Sequence, residues 1–213
     1  MNIALANSVD HFFHEAVDEA VRTRQVDATE QATSYLVALL SDFAHPDPVL
    51  ENTLERPLAF LLDEAFRTTG AERFRRLRAL GDSVLYITGF FGDHIENRGV
   101  DLGYVTNVGA TAYQGAGAML RVSPSKGAKE TVNASGRSSH VSEENVFCEL
   151  SQKFDQFVEV LTTISESTLA QQARGERGIV RLYERWLRSG SSTLAKELGA
   201  RGLVPVRGSG GVH

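Results

Sequence analysis

Apolar residues recur at intervals of three and four along most of this chain, and they are densest from Gly81 to Leu120. In the first half of that stretch Val84, Leu85, Tyr86, Ile87, Phe90 and Phe91 fall on every side of a projected helix. A helix that is apolar all round is a buried one. In the second half Gly109, Ala112, Ala116 and Gly117 stand three or four apart, so small residues share a face and a neighbouring backbone can come close. Asn97-Arg98-Gly99 between the halves is turn chemistry. The pattern predicts a buried helical hairpin around which the rest of the chain packs.

Upstream, Ser8 is positioned to cap a first helix whose apolar face is Val9, Phe13, Ala16, Val17 and Ala20. Asp27 and Glu30 have capping-box spacing ahead of a second helix carrying Ala32, Tyr35, Leu36, Leu39, Leu40 and Phe43. His45-Pro46-Asp47-Pro48 stops that helix, because each proline lacks a donor and restricts the residue before it. Pro57 opens a third helix, Gly70 closes it, and a fourth begins near Ala71 and leads toward the hairpin. Downstream, Val122 to Val141 is rich in Ser, Gly, Lys and Asn and is expected to be a mobile surface loop. Ser142, Glu143 and Glu144 then start one long helix with a seam of Phe147, Leu150, Phe154, Phe157, Leu161 and Ile164. Two further helices are expected over Glu176–Arg188 and Ser191–Leu198. No strand period of any length occurs. The expectation is an all-α, single-domain bundle of about seven to eight helices over residues 1–202, with a flexible tail over 203–213.

Composition narrows the function classes. With 42% hydrophobic residues the chain supports a real core, and a net charge of −5 with a pI near 5.7 gives no overall sign of a nucleic-acid or anionic-membrane partner. The longest apolar run, Val84 to Gly92, falls far below the roughly 18 residues of a bilayer-spanning helix, so no membrane insertion is expected. Cys148 is the one cysteine, which excludes an internal disulfide and a multi-cysteine zinc site. The opening MNIALANSVDHFF has no basic region and reaches Asp10 early, unlike a secretory leader. A cytoplasmic setting follows as the expectation.

Candidate chemistry is sparse. His11 and Glu15 have metal-ligand spacing, but with Asp18 they project opposite the apolar face and read as a solvated stripe; no Glu-x-x-His occurs, and no metal or cofactor is expected. Asp93 and His94 end the buried helix beside an apolar wall. They read as a helix terminus suited to the dipole, or else as a tuned acid–base pair. Together with Phe90, Phe91, Tyr104, Asn107 and Tyr113 they form the candidate ligand site, while Gly109, Ala112 and Ala116 form a candidate interface. The arginine groups 73–78 and 177–188 read as solvated faces paired with local glutamates. STLAKELGARGLVPVRG has the order of a recognition helix leading into a strand, but Lys196, Arg201 and Arg207 are few cations for that role, and no nucleic-acid partner is expected.

The segment LGDSVLYITGFFGDHIENRGVDLGYVTNVGATAY, with the later LSQKFDQFVEVLTTISE and LYERWLRSGS, resembles a set of uncharacterised bacterial all-helical proteins over roughly residues 77 to 190. The resemblance implies that the Gly89-Phe90-Phe91 corner and the Asp101 to Tyr113 helix are a shared centre, and it brings no activity with it. Two functions therefore stand as expectations. One is a non-catalytic interaction or scaffold module that binds a protein partner and self-associates. The other is a helical-bundle enzyme or small-ligand carrier with an apolar pocket near Phe90, Phe91, Asp93, His94 and Tyr104. An enclosed concavity where Asp93 and His94 meet Asn107 or Tyr113 would favour the second.

Overall fold

The computed structural model describes residues 3–44, 56–122 and 141–206. Among the described residues every regular element is a helix and no strand occurs. The order is α1 (Ile3–Arg24), α2 (Glu30–Phe43), α3 (Leu58–Arg67), α4 (Gly70–Asn97), α5 (Leu102–Val122), α6 (Val141–Gln152), α7 (Phe154–Gln172), α8 (Gly175–Ser189) and α9 (Ser192–Ala200). The all-α bundle is as expected, with nine helices among the described residues. None of them is long and apolar enough to cross a membrane.

The hairpin of α4 and α5 is the centre, with the most extensive helix–helix contact among the described residues. Its turn is built as the residues dictate: Gly99 takes a positive φ of 75°, and the Asp101 carboxylate accepts the Gly103 N–H at 2.8 Å to open α5. Close approach rests on missing side chains. A Cβ on Gly89 would lie 2.4 Å from Leu161 Cβ of α7, and one on Gly109 would lie 2.3 Å from Phe154 Cζ and 2.8 Å from Val84 Cγ1. Ala112 and Ala116 are fully buried. On the small face expected as an interface, Gly109 is thus met by the chain's own α4 and α7, and Ala112 and Ala116 are buried within the same chain. The remaining helices wrap this centre, with α3 and α7 on α4, α6 on α5, and the α1–α2 pair against α7 and α6.

Several boundaries differ from the expected ones. Ser8 lies inside α1 rather than at its start. The cap of α2 is Thr29, not Asp27: its Oγ1 accepts the Ala32 N–H at 3.2 Å. The carboxylate of Glu149, from α6, accepts both the Thr29 N–H (3.0 Å) and the Thr29 hydroxyl (2.5 Å). Gly70, with φ of 60°, begins α4, and Thr68 closes α3. The long helix expected from Ser142 onward starts at Val141 and breaks at Lys153 (φ −108°, ψ 24°), whose ammonium donates to the Asp27 carbonyl and to Glu149 at 3.1 Å. The seam survives the break, since Phe147, Leu150, Phe154, Phe157, Leu161 and Ile164 are all buried. The expected loop over 122–141 lies outside the described residues except at its ends, which are helical, and so does the expected tail beyond residue 206.

Among the described residues the buried ones form two clusters. The larger fills the space among α1 to α7. The smaller joins Ala170 at the end of α7 to Leu182 and Trp186 of α8 and to Leu194 and Leu198 of α9.

Candidate functional site

Among the described residues two buried carboxylates, Glu149 and Glu166, and the partly buried Asp82 anchor the polar structure of the interior. Asp82 lies between Gly81 and Ser83 on α4 and accepts hydrogen bonds from the Tyr35 hydroxyl (2.6 Å) and the Tyr113 hydroxyl (2.7 Å) on the same oxygen. Arg78 stands 3.4 Å from its other oxygen and over the Tyr35 ring. Burial pushes the Asp82 carboxyl above its ordinary range, against the two hydroxyls and Arg78, and the same burial and charge raise both tyrosines. Through these bonds the group ties α2, α4 and α5 together. Glu149 differs: burial pushes it up, but Thr29 and Lys153 outweigh burial and hold it below its usual range.

Glu166 is 1% exposed and accepts the Ser191 hydroxyl at 2.5 Å, joining α7 to the cap of α9. Burial raises its carboxyl, Ser191, Arg185 and Arg24 oppose this, and Asp93 adds to it. Here Asp93 faces Arg185 of α8 at 3.5 Å. Asp93 therefore belongs to the seat of the C-terminal helices.

His94, one residue on, faces elsewhere. It is exposed and lines a shallow concavity of about 350 Å³ with Tyr104 of α5; Leu58, Ile95 and Val105 form the floor, and Arg56 and Arg98 the rim. Tyr104 and Val100 are 45% and 41% exposed there. Arg56 is committed to Glu64, on which it makes two bonds, 3.1 Å and 2.5 Å. Phe90 and Phe91 stand apart from this concavity. Phe43, Tyr86 and Phe90 stack at 4.5 Å and 4.7 Å between ring centres, and Phe91 meets Tyr86 edge-on while 48% exposed. Asn107 is exposed in a separate depression with Ser151 and Asp155, and Tyr113 lies in the core on Asp82.

The seven expected site residues are thus spread over five places, and only His94 and Tyr104 share a pocket. Asp93 and His94 do not converge, so no acid–base pair forms. The His11–Glu15 and His14–Asp18 pairs of α1 are exposed at 3.7 Å and 3.2 Å, as a solvated stripe. Among the described residues no three His, Cys, Asp or Glu side chains come together as a metal site. The arginines of α4 are occupied locally: Arg75 and Arg76 bind Glu72, and Arg73 lies over Phe66. Sequence reasoning missed Asp82 and Glu166. Asp82 stands two positions ahead of the apolar run and Glu166 two positions after the heptad seam, so each reads as an ordinary flank.

The chain matches no family model, no curated protein and no solved structure.

Proposed function

We propose that this chain is a non-catalytic interaction module of the cytoplasm, which binds a protein partner and associates with itself at the α4–α5 end of the bundle. The observation that carries this reading is the concavity holding His94 and Tyr104. An apolar floor there is left uncovered, an aromatic ring stands beside it in solvent, and two guanidinium groups sit at the rim. Tyrosine and arginine around a small apolar depression are the residue types that dominate binding energy at protein interfaces. The divergence of Asp93 from His94 supports a binding role over acid–base catalysis, because neither group is placed to relay a proton to the other.

A second reading rests on the size of the same concavity. About 350 Å³ lies within the range of small-molecule pockets, which supports a carrier of an apolar compound. One experiment separates the two. Native mass spectrometry and sedimentation velocity are run on the full chain and on Tyr104→Ala, an exposed position whose loss spares the core. Self-association that weakens by about thirtyfold in the variant, the scale of a hot-spot residue, supports the module. A monomer at every concentration that retains a small molecule supports the carrier and removes the first reading. A chain that neither associates nor retains a compound overturns both.

A further inference from the structure

The overall charge of −5 is the sum of two unlike parts. Residues 173–213 hold eight Lys and Arg against three Glu, a charge of +5, so residues 1–172 carry −10. The basic part includes α8 and α9, whose small apolar cluster is separate from the main core. Its arginines divide by role. Arg185 faces Asp93, and Arg201 donates to the Ala170 carbonyl, so these two hold α8 and α9 to the bundle. Arg177 and Arg181 are exposed on the outer face of α8.

Glu184 shares that exposed face, and aliphatic side chains border it. Leu182 and Trp186 point into the cluster, but the apolar arc of α8 is wider than the bundle covers, leaving Val180 at 53% and Leu187 at 43% exposed. Beside them the segment after α9 is tied to α8 through the Tyr183 hydroxyl, which donates to the Val206 carbonyl at 3.3 Å. It presents Val204 at 80% and Val206 at 62% exposed. Aliphatic side chains standing in water next to arginines, on a helix lying along the surface, are the composition of an interfacial membrane contact. A nucleic acid would be met by the cations alone and would leave the valines without a role.

We infer that the outer face of α8, with Leu203–Val206, docks on an anionic lipid surface: Val180, Leu187, Val204 and Val206 enter the headgroup region while Arg177 and Arg181 pair with lipid phosphates and carboxylates. Charge complementarity selects the occupant: residues 1–172 carry −10 and residues 173–213 carry +5, so the basic end is the part that such a surface attracts. Lipid contact is peripheral here, without a spanning helix, and is independent of the Tyr104 concavity.

The test uses the full chain with sedimented vesicles of phosphatidylcholine, with and without phosphatidylserine. Binding is expected to the phosphatidylserine vesicles only and to fall as salt rises. Arg177→Glu with Arg181→Glu should weaken it by about thirtyfold or more, given roughly fivefold per cation near an anionic leaflet. Val204→Ser with Val206→Ser should weaken it as well, at exposed positions where folding is spared. Absence of binding, or equal binding to both vesicles, overturns the inference. So does tighter binding to a duplex oligonucleotide that depends on the arginines and ignores the valines. A serine variant that shifts the chain from dimer to monomer while leaving vesicle binding unchanged assigns the patch to a second copy and overturns it too.

Discussion

At the scale of single residues, Glu166 sets a pH dependence whose sign follows from its surroundings. Burial raises the carboxyl despite Ser191, Arg185 and Arg24, so the folded state favours the protonated form more than the unfolded chain does. The resulting stability is present below the unfolded pKa, about 4.3, and is lost as pH rises through the higher folded value. Glu166→Gln keeps an acceptor for the Ser191 hydroxyl and does not titrate. Denaturant unfolding at a series of pH values should find the variant gaining on the wild type from pH 4 toward pH 8; a constant difference across that range would show that Glu166 ionises freely. Which carboxylates are buried was only partly legible beforehand. Asp82 lies just ahead of the apolar run, and its partners Tyr35 and Tyr113 come from helices 47 and 31 positions away. Asp93 and His94 stand out together in the sequence, yet the helix turn between them sends one to Arg185 and the other to Tyr104.

Among the elements, the hairpin is the part the apolar pattern described best, because periodicity reports burial directly. What periodicity does not report is where a continuous seam changes helix. The break at Lys153 is made by Asp27 and Glu149, one of them distant in the chain, and the seam residues on either side stay in phase. The role of the small residues was legible as close packing, while the identity of the neighbour was not. Gly89→Ala tests that packing. Its new methyl group would lie 2.4 Å from Leu161 Cβ, an atom fixed to the α7 backbone that cannot swing aside. A loss of about 1–3 kcal/mol is expected, typical of overpacking. Gly199→Ala, where nothing lies within 4 Å, is the control and should be neutral or stabilising by at most about 1 kcal/mol. Equal midpoints for the two variants in urea would mean that α4 and α7 do not approach as described.

For the whole molecule, the net charge hid the most useful sequence signal. The +5 and −10 parts are written in the chain, but their sum looks like an ordinary acidic protein, and only the separate cluster of α8 and α9 shows that they belong to different packing units. The fold class was legible because helical period and turn residues agree along nearly the whole chain. The site was not, because the partners of each polar group lie in other helices. The division into two clusters has an optical consequence. Trp186 is the chain's one tryptophan and sits 6% exposed in the smaller cluster, with Tyr183 beside it. Indole emission therefore watches α8 and α9 alone, whereas far-ultraviolet ellipticity sums over all the helices. Under urea the emission should redden at a lower midpoint than the ellipticity decays, and Asp93→Asn, by loosening the seat of α8 at Arg185, should widen the gap between the two curves. Superimposable curves in both proteins would mean that the two clusters melt as one cooperative unit.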